Sequence, residues 1–165
     1  MRRRQTPALI RRHLNLGADY VLRCVGLLSD VFGGDIISGL VFLAAVQAST
    51  QHLRNPSAQD DCEEEFFPDE VRRPASLSAI ARSLGIPVET TRRHVIKLER
   101  AGFAHRSKGG GVLVTADILA REDIRAAMLA NSGYVLRLND GVTRSEMIRD
   151  AGAGRDHPSY ERADD

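Results

Sequence analysis

Between residues 77 and 101 the apolar positions recur twice at helical spacing, with a glycine in the middle. Leu77, Ile80, Ala81 and Leu84 follow the i, i+3, i+4, i+7 rule. Ser76 stands where a helix N-cap belongs, and Gly85 suits the left-handed residue that closes a helix. A second helix then carries Val88, Thr91, Val95 and Leu98 within about 80° of its circumference. Between those residues stand Arg92, Arg93, His94 and Lys97. One face is made to pack and the other is made of cations.

The same pattern organises the rest of the chain. Val21, Leu22, Val25 and Leu28 predict a helix over 17–31, ended by Gly33-Gly34. Asp35 can cap a following helix, 35–53, which is apolar on most sides and must be buried among other helices or against a partner chain. Its most apolar run, 36–46, is shorter than the ~20 residues a bilayer requires. No membrane association is expected. Residues 54–70, with two prolines and little periodicity, predict a loop that Phe66-Phe67 pins to the body. Val71–Arg73 precedes Pro74 and reads as a short strand. In 103–115 the period shortens, predicting two strands around a Gly109-Gly110-Gly111 tip. Residues 116–138 return to helix, with Ile118, Ile124, Met128, Leu129, Val135 and Leu136 on one broad stripe and an interruption at Asn131-Ser132-Gly133. Residues 149–165 lack apolar periodicity and read as a disordered tail.

Charge changes this picture. The 165 residues carry a formal net charge of only +1, but it is segregated. Residues 1–13 hold five arginines and no acid, and the first sixteen residues read as a basic flexible arm. Residues 60–70 hold seven acids and no base, and residues 71–108 hold nine Arg or Lys against Glu89 and Glu99. A concentrated basic block in a near-neutral chain points to a local anionic partner. The acidic loop beside it is a solvated linker or a competitor for that basic face.

Other chemistries find little support. The two cysteines, Cys24 and Cys62, form no CxxC spacing, the five histidines are scattered, and neither a zinc site nor a disulfide framework is expected. No cofactor is implied. The Arg-rich start lacks an apolar signal core, so a cytoplasmic protein is expected. GxSxG, GxxxxGK[ST], HExxH and GxGxxG are absent, and no enzyme is expected. Stacking aromatics are missing from the basic block, which disfavours RNA.

The segment LSAIARSLGIPVETTRRHVIKLERAGF, followed by a Gly-tipped hairpin, resembles the winged helix-turn-helix domain of bacterial transcriptional regulators of the MarR, ArsR, DeoR and GntR groups. The resemblance covers 71–115. It departs from the pattern at Thr91, where those proteins carry a larger apolar residue, and in the acidic loop before the domain. It implies a mainly α fold with a small β-hairpin wing, a winged helix-turn-helix plus additional N- and C-terminal helices. It also implies a recognition helix at 87–101 and a wing at 103–115. Glu89, Thr90, Arg92, Arg93 and His94 would then approach base edges or nearby phosphates, Lys97 the DNA backbone, and Arg106 and Lys108 phosphate or the minor groove.

The expected function is therefore sequence-specific binding of double-stranded DNA by a transcriptional regulator acting as a homodimer. The apolar surface of helices 17–53 and 116–138 would supply the dimer contact; the alternative is that these helices cover each other within one chain. Such proteins often sense a small-molecule effector, but no ligand constellation is evident here. A winged-helix protein-interaction module and a non-specific DNA-binding protein are the alternatives.

Overall fold

The computed structural model describes residues 6–53 and 65–153, with side chains as far as Ile148. The start of the expected basic arm (1–5), most of the acidic loop (54–64, with Cys62) and the end of the expected tail (154–165) lie outside the described residues. The described chain is mainly α-helical with one two-stranded antiparallel hairpin. Its helices are α1 (Pro7–Val31), α2 (Ile36–Thr50, continued by a 3-10 turn Gln51–Leu53), α3 (Leu77–Leu84), α4 (Val88–Arg100), α5 (Ala116–Leu119) and α6 (Glu122–Ala153). The hairpin strands are β1 (His105–Arg106) and β2 (Val112–Leu113), in the register His105↔Leu113 and Arg106↔Val112. By contacts the chain divides into two compact units, Val25–Leu129 and a second made of Met1–Cys24 with Ala130–Asp165.

In the unit 25–129, α2 packs on α3, α4 and β2. Val41, Ala45, Ile80, Val95, Val112 and Val114 are completely buried there, and Leu98 nearly so. Burial of each of these valine, isoleucine and leucine side chains is worth about 1.5–3 kcal/mol. Phe32 stacks obliquely on Phe42 (ring centroids 5.3 Å apart) and on Phe103 (4.9 Å), tying the end of α1 to α2 and to the hairpin's root. This position accounts for one side of the apolar α2, while Ile37, Leu40 and Leu43 on its other side remain exposed. Together with its closing turn it makes an 18-residue helix, Ile36–Leu53, of mean hydropathy 1.3, long and apolar enough to cross a membrane by length and composition alone. Here its side chains at Val41, Phe42, Ala44 and Ala45 form the core.

Two caps in this unit match their local chemistry. The Asp35 carboxylate accepts the Ser38 amide at 3.1 Å to start α2, and Ser76 Oγ accepts the Ala79 amide at 3.1 Å to start α3. The expected strand over Val71–Arg73 is not formed. Asp69–Val71 is a 3-10 turn, and it is Ala75, beyond Pro74, that exchanges two 2.8 Å backbone hydrogen bonds with Val112. Proline lacks the amide a ladder needs, so pairing begins one residue after it. Arg72 meanwhile turns inward, its side chain only 2% exposed, and donates to the carbonyls of Phe67 (2.9 Å) and Val114 (3.4 Å). Phe66 packs against the core, as expected of a pin. Gly111 is required at the hairpin's return, because a Cβ there would stand 2.7 Å from the Pro74 Cβ.

The second unit pairs the first half of α1 with the later part of α6. Residues 7–16, expected in a flexible arm, belong to α1. Leu9, His13, Leu16 and Tyr20 recur at helical spacing, and with Gly17 they are the more buried residues between Thr6 and Tyr20. Leu16 lies against Gly141, where a Cβ would approach its Cδ2 to 2.6 Å. The interruption expected at Asn131-Ser132-Gly133 does not occur. Asn131 Oδ1 accepts from Tyr20 Oη at 3.3 Å and from Cys24 Sγ at 3.4 Å, and α6 runs through unbroken to Ala153, into the segment read as tail. Outward from this pair, Leu14, Leu22, Leu136 and Met147 are each more than 60% exposed.

Candidate functional site

The basic helix α4 is held by its aliphatic side. Thr91, Val95 and Leu98 are buried, and Thr91 Oγ1 donates to the Pro87 carbonyl at 3.2 Å, so the small β-branched residue both packs and satisfies its hydroxyl. Val88, expected on the same wall, is instead 49% exposed, because it sits in the first turn beyond the reach of α2 and α3. The turn into α4 is set by Gly85 (φ 66°), where the amide of Ile86 bonds back to the Ala81 carbonyl at 3.1 Å. The turn out of α4 repeats the device. Gly102 has φ 72°, and the amide of Phe103 returns to the Leu98 carbonyl at 2.8 Å while its ring is buried. The result is a rigid unit of two short helices and a hairpin, with the cationic side of α4 outward.

The predicted site residues divide into three groups. Arg92 and Arg93 lie on the open face, Arg93 with its side chain 73% exposed. Arg92 clamps Glu89 with two 2.8 Å hydrogen bonds, Nε to Oε2 and Nη2 to Oε1, and Arg93 Nε adds a third at 3.3 Å. The Arg92 hydrogen bonds, aided by Arg93, hold the Glu89 carboxyl down to about 2. Thr90 is half-buried beside them.

Lys97 and His94 form a second group, turned toward the start of α2. Lys97 Nζ donates to Asp35 Oδ2 at 2.8 Å. His94 Nδ1 lies 2.9 Å from Ser38 Oγ and 3.4 Å from Asp35 Oδ1, with its side chain only 14% exposed. His94 is a flank residue of the helix. It is a residue of the α2–α4 junction, not of the open face, because α2 covers that flank of α4. Burial pushes the Asp35 carboxyl up, but hydrogen bonds from Lys97 and from the amide and hydroxyl of Ser38, with His94 nearby, outweigh it and hold the group at about 2.

The third group is on the hairpin. Arg106 Nε donates to Glu99 Oε1 at 3.2 Å, bracing β1 against the end of α4. Lys108 is exposed beside the glycine tip. With Arg73, Arg82 and Arg100 it makes four exposed cations that have no carboxylate partner among the described residues.

The nine cations of the basic block are thus not equivalent. Arg72 is withdrawn into the body, Lys97 and Arg106 are paired with Asp35 and Glu99, and Arg92 and Arg93 share Glu89, which leaves that pair net positive. Asp35, Ser38 and Glu99 belong to the site and were not foreseen there. Glu99 is brought to Arg106 by the chain reversal at Gly102, a signal present in the sequence as Ala101-Gly102-Phe103. The clamp of Glu89 on residues three and four positions ahead is a spacing rule of helices that the sequence also displays. Nothing local to Asp35 or Ser38 points at α4. Among the described residues no three His, Cys, Asp or Glu side chains gather closely enough to hold a metal ion. No protein-family model, curated protein or solved structure matches the chain.

Proposed function

We propose that the chain is a winged helix-turn-helix regulator that binds double-stranded DNA with sequence preference, α4 entering the major groove and the β1–β2 wing reaching phosphate or the minor groove. The observation that carries this reading is the two-sidedness of α4. Thr91, Val95 and Leu98 on its inner side are buried while Arg93 and Arg92 project from the opposite side. A helix displayed in this way fits a groove ~12 Å wide, and an arginine fork reads guanine O6 and N7 for about 1–3 kcal/mol of discrimination per good pair. The ion pairs on this face do not prevent such contacts, since exposed pairs are weak and readily exchanged. Lys108 and Arg100 remain for phosphate.

A helix of this length reads few base pairs, so the regulator acts as a homodimer on half-sites about one helical turn, ~34 Å, apart. The surface supporting this is the paired α1–α6 unit. Its row of exposed Leu14, Leu22, Leu136 and Met147 exceeds what two helices can cover for each other, and a second copy supplies the missing face. A cytoplasmic location accords with this function.

The direct test is duplex affinity measured against salt concentration. A steep negative slope is expected, one phosphate contributing about −0.9 to the logarithmic slope. Arg92→Glu with Arg93→Glu is expected to lower affinity at least about a hundredfold, with the thermal melt unchanged since both side chains lie outside the core. Equal binding by the double variant would remove α4 from the interface. The ion pairing of Arg92, Lys97 and Arg106 favours one second reading, a protein-interaction module with a partly neutralised face. A salt-independent, duplex-blind protein in the same titration would select it.

A further inference from the structure

This inference rests on the duplex-binding reading and concerns the carboxylate at its centre. Glu89 stands in the first turn of α4, on the open face, with Arg92 and Arg93 both turned onto it. A carboxylate offers about four acceptor positions. Oε1 already takes two donors, Arg92 and Arg93, while Oε2 takes only Arg92. One position on Oε2 is therefore left, on an exposed side chain. In the clamped arrangement the Arg92 hydrogen bonds, followed by Arg93, hold the Glu89 carboxyl down to about 2.

Such a charge repels phosphate, so it disfavours any duplex that does not offer it a donor. In the major groove the donors are cytosine N4 and adenine N6, while guanine O6 and N7 and thymine O4 are acceptors that a carboxylate avoids. Adenine sets its N7 acceptor beside N6, whereas the N4 amine of cytosine has no neighbouring acceptor on its own base. We infer that Glu89 is a specificity-determining residue that accepts from cytosine N4, while the arginine beside it takes O6 and N7 of guanine. Glu89 and Arg92 together form a reader for C·G pairs. The clamp seen here holds Arg92 in its planar, fork-forward arrangement until a base edge replaces the carboxylate as its partner. On duplexes lacking cytosine at that position Arg92 stays on the carboxylate and the fork is not released to guanine, so the residue suppresses non-specific binding as well as promoting the specific contact.

The test begins with selection of bound sites from a random duplex pool by the full chain. The wild-type protein, Glu89→Gln and Glu89→Ala are then titrated with the selected site, with single-pair variants of it and with a scrambled duplex. One position is expected at which replacing C·G by T·A weakens wild-type binding about tenfold or more. Both variants should lose that discrimination, to within about threefold, and bind the scrambled duplex more tightly than wild type does. Discrimination retained at every position by both variants would overturn the inference while leaving the duplex-binding reading intact. A selected site with no position that requires cytosine would do the same. A wild-type protein that retains no duplex overturns both together.

Discussion

The two units of this chain solve the problem of burying apolar surface differently. In the unit 25–129, three helices and a hairpin converge, and Val41, Ile80, Val95, Val112 and Val114 are entirely removed from solvent. In the unit that joins the first half of α1 to the later part of α6, two helices meet along one seam, marked by Leu16 against Gly141 and by Asn131 with Tyr20 and Cys24. Two helices have only one mutual face. Leu22 and Leu136 consequently remain 70% and 62% exposed. The first unit closes a core around α4, although Leu43 and Leu129 stay exposed at its edges, whereas the second leaves much of its apolar surface open. Under the proposed function, the first unit would be the platform that displays α4 and the second would supply the dimer contact.

The largest effect should fall on the first unit. Leu98→Ala removes a side chain from the centre of its core and is expected to cost about 2–5 kcal/mol in denaturant unfolding. A cost below about 1 kcal/mol would mean that the platform is not the tightly packed body described. Next comes assembly. Leu22→Asp with Leu136→Asp should weaken self-association about a hundredfold in sedimentation equilibrium, with the far-ultraviolet spectrum retained. A wild-type protein that sediments as a single chain at high concentration would erase the contrast between the units.

Gly111→Ala should cost about 1–3 kcal/mol, because the new methyl group meets Pro74 where Ala75 pairs with Val112. A neutral substitution would show that the hairpin root yields easily. The smallest effect concerns Asp35. Removing its cap in Asp35→Ala should cost about 1 kcal/mol. Its charge contributes separately. The folded carboxyl titrates near 2, below the ordinary 3.8, so the charge stabilises the fold fully above about pH 4 and is lost as pH falls toward 2. The melting-temperature difference between wild type and Asp35→Asn should be present at pH 6 and shrink across that interval. A difference independent of pH would mean that Lys97 and His94 do not feel the charge.

Periodicity and end signals carried the reading furthest where forces are local. Ser76, Gly85 and the spacing of Leu77 through Leu98 place α3, its turn and α4 within a residue or two, because a helix is organised by neighbours three and four positions away. The same logic failed at 7–16, where arginines obscured a real stripe of Leu9, His13, Leu16 and Tyr20. It failed again at 131–133, where poor helix formers are carried by a partner helix. Asn131 spends its polarity on Tyr20, 111 residues away, and propensity worth tenths of a kcal/mol yields to that packing.

The outward cationic side of α4 was legible as well, since it is the complement of the buried stripe. What the residues between 85 and 102 contain on their own is a helix with a packing side and a charged side. The pairing of Arg92 and Arg93 with Glu89 follows from spacing within the helix, but the engagement of Lys97 and His94 was decided only by the fold. Lys97 meets Asp35 across 62 residues and His94 meets Ser38 across 56. No pattern along the chain encodes pairings at such distances, because they arise only when the cores of α2 and α4 have closed on each other and brought their rims within hydrogen-bonding reach.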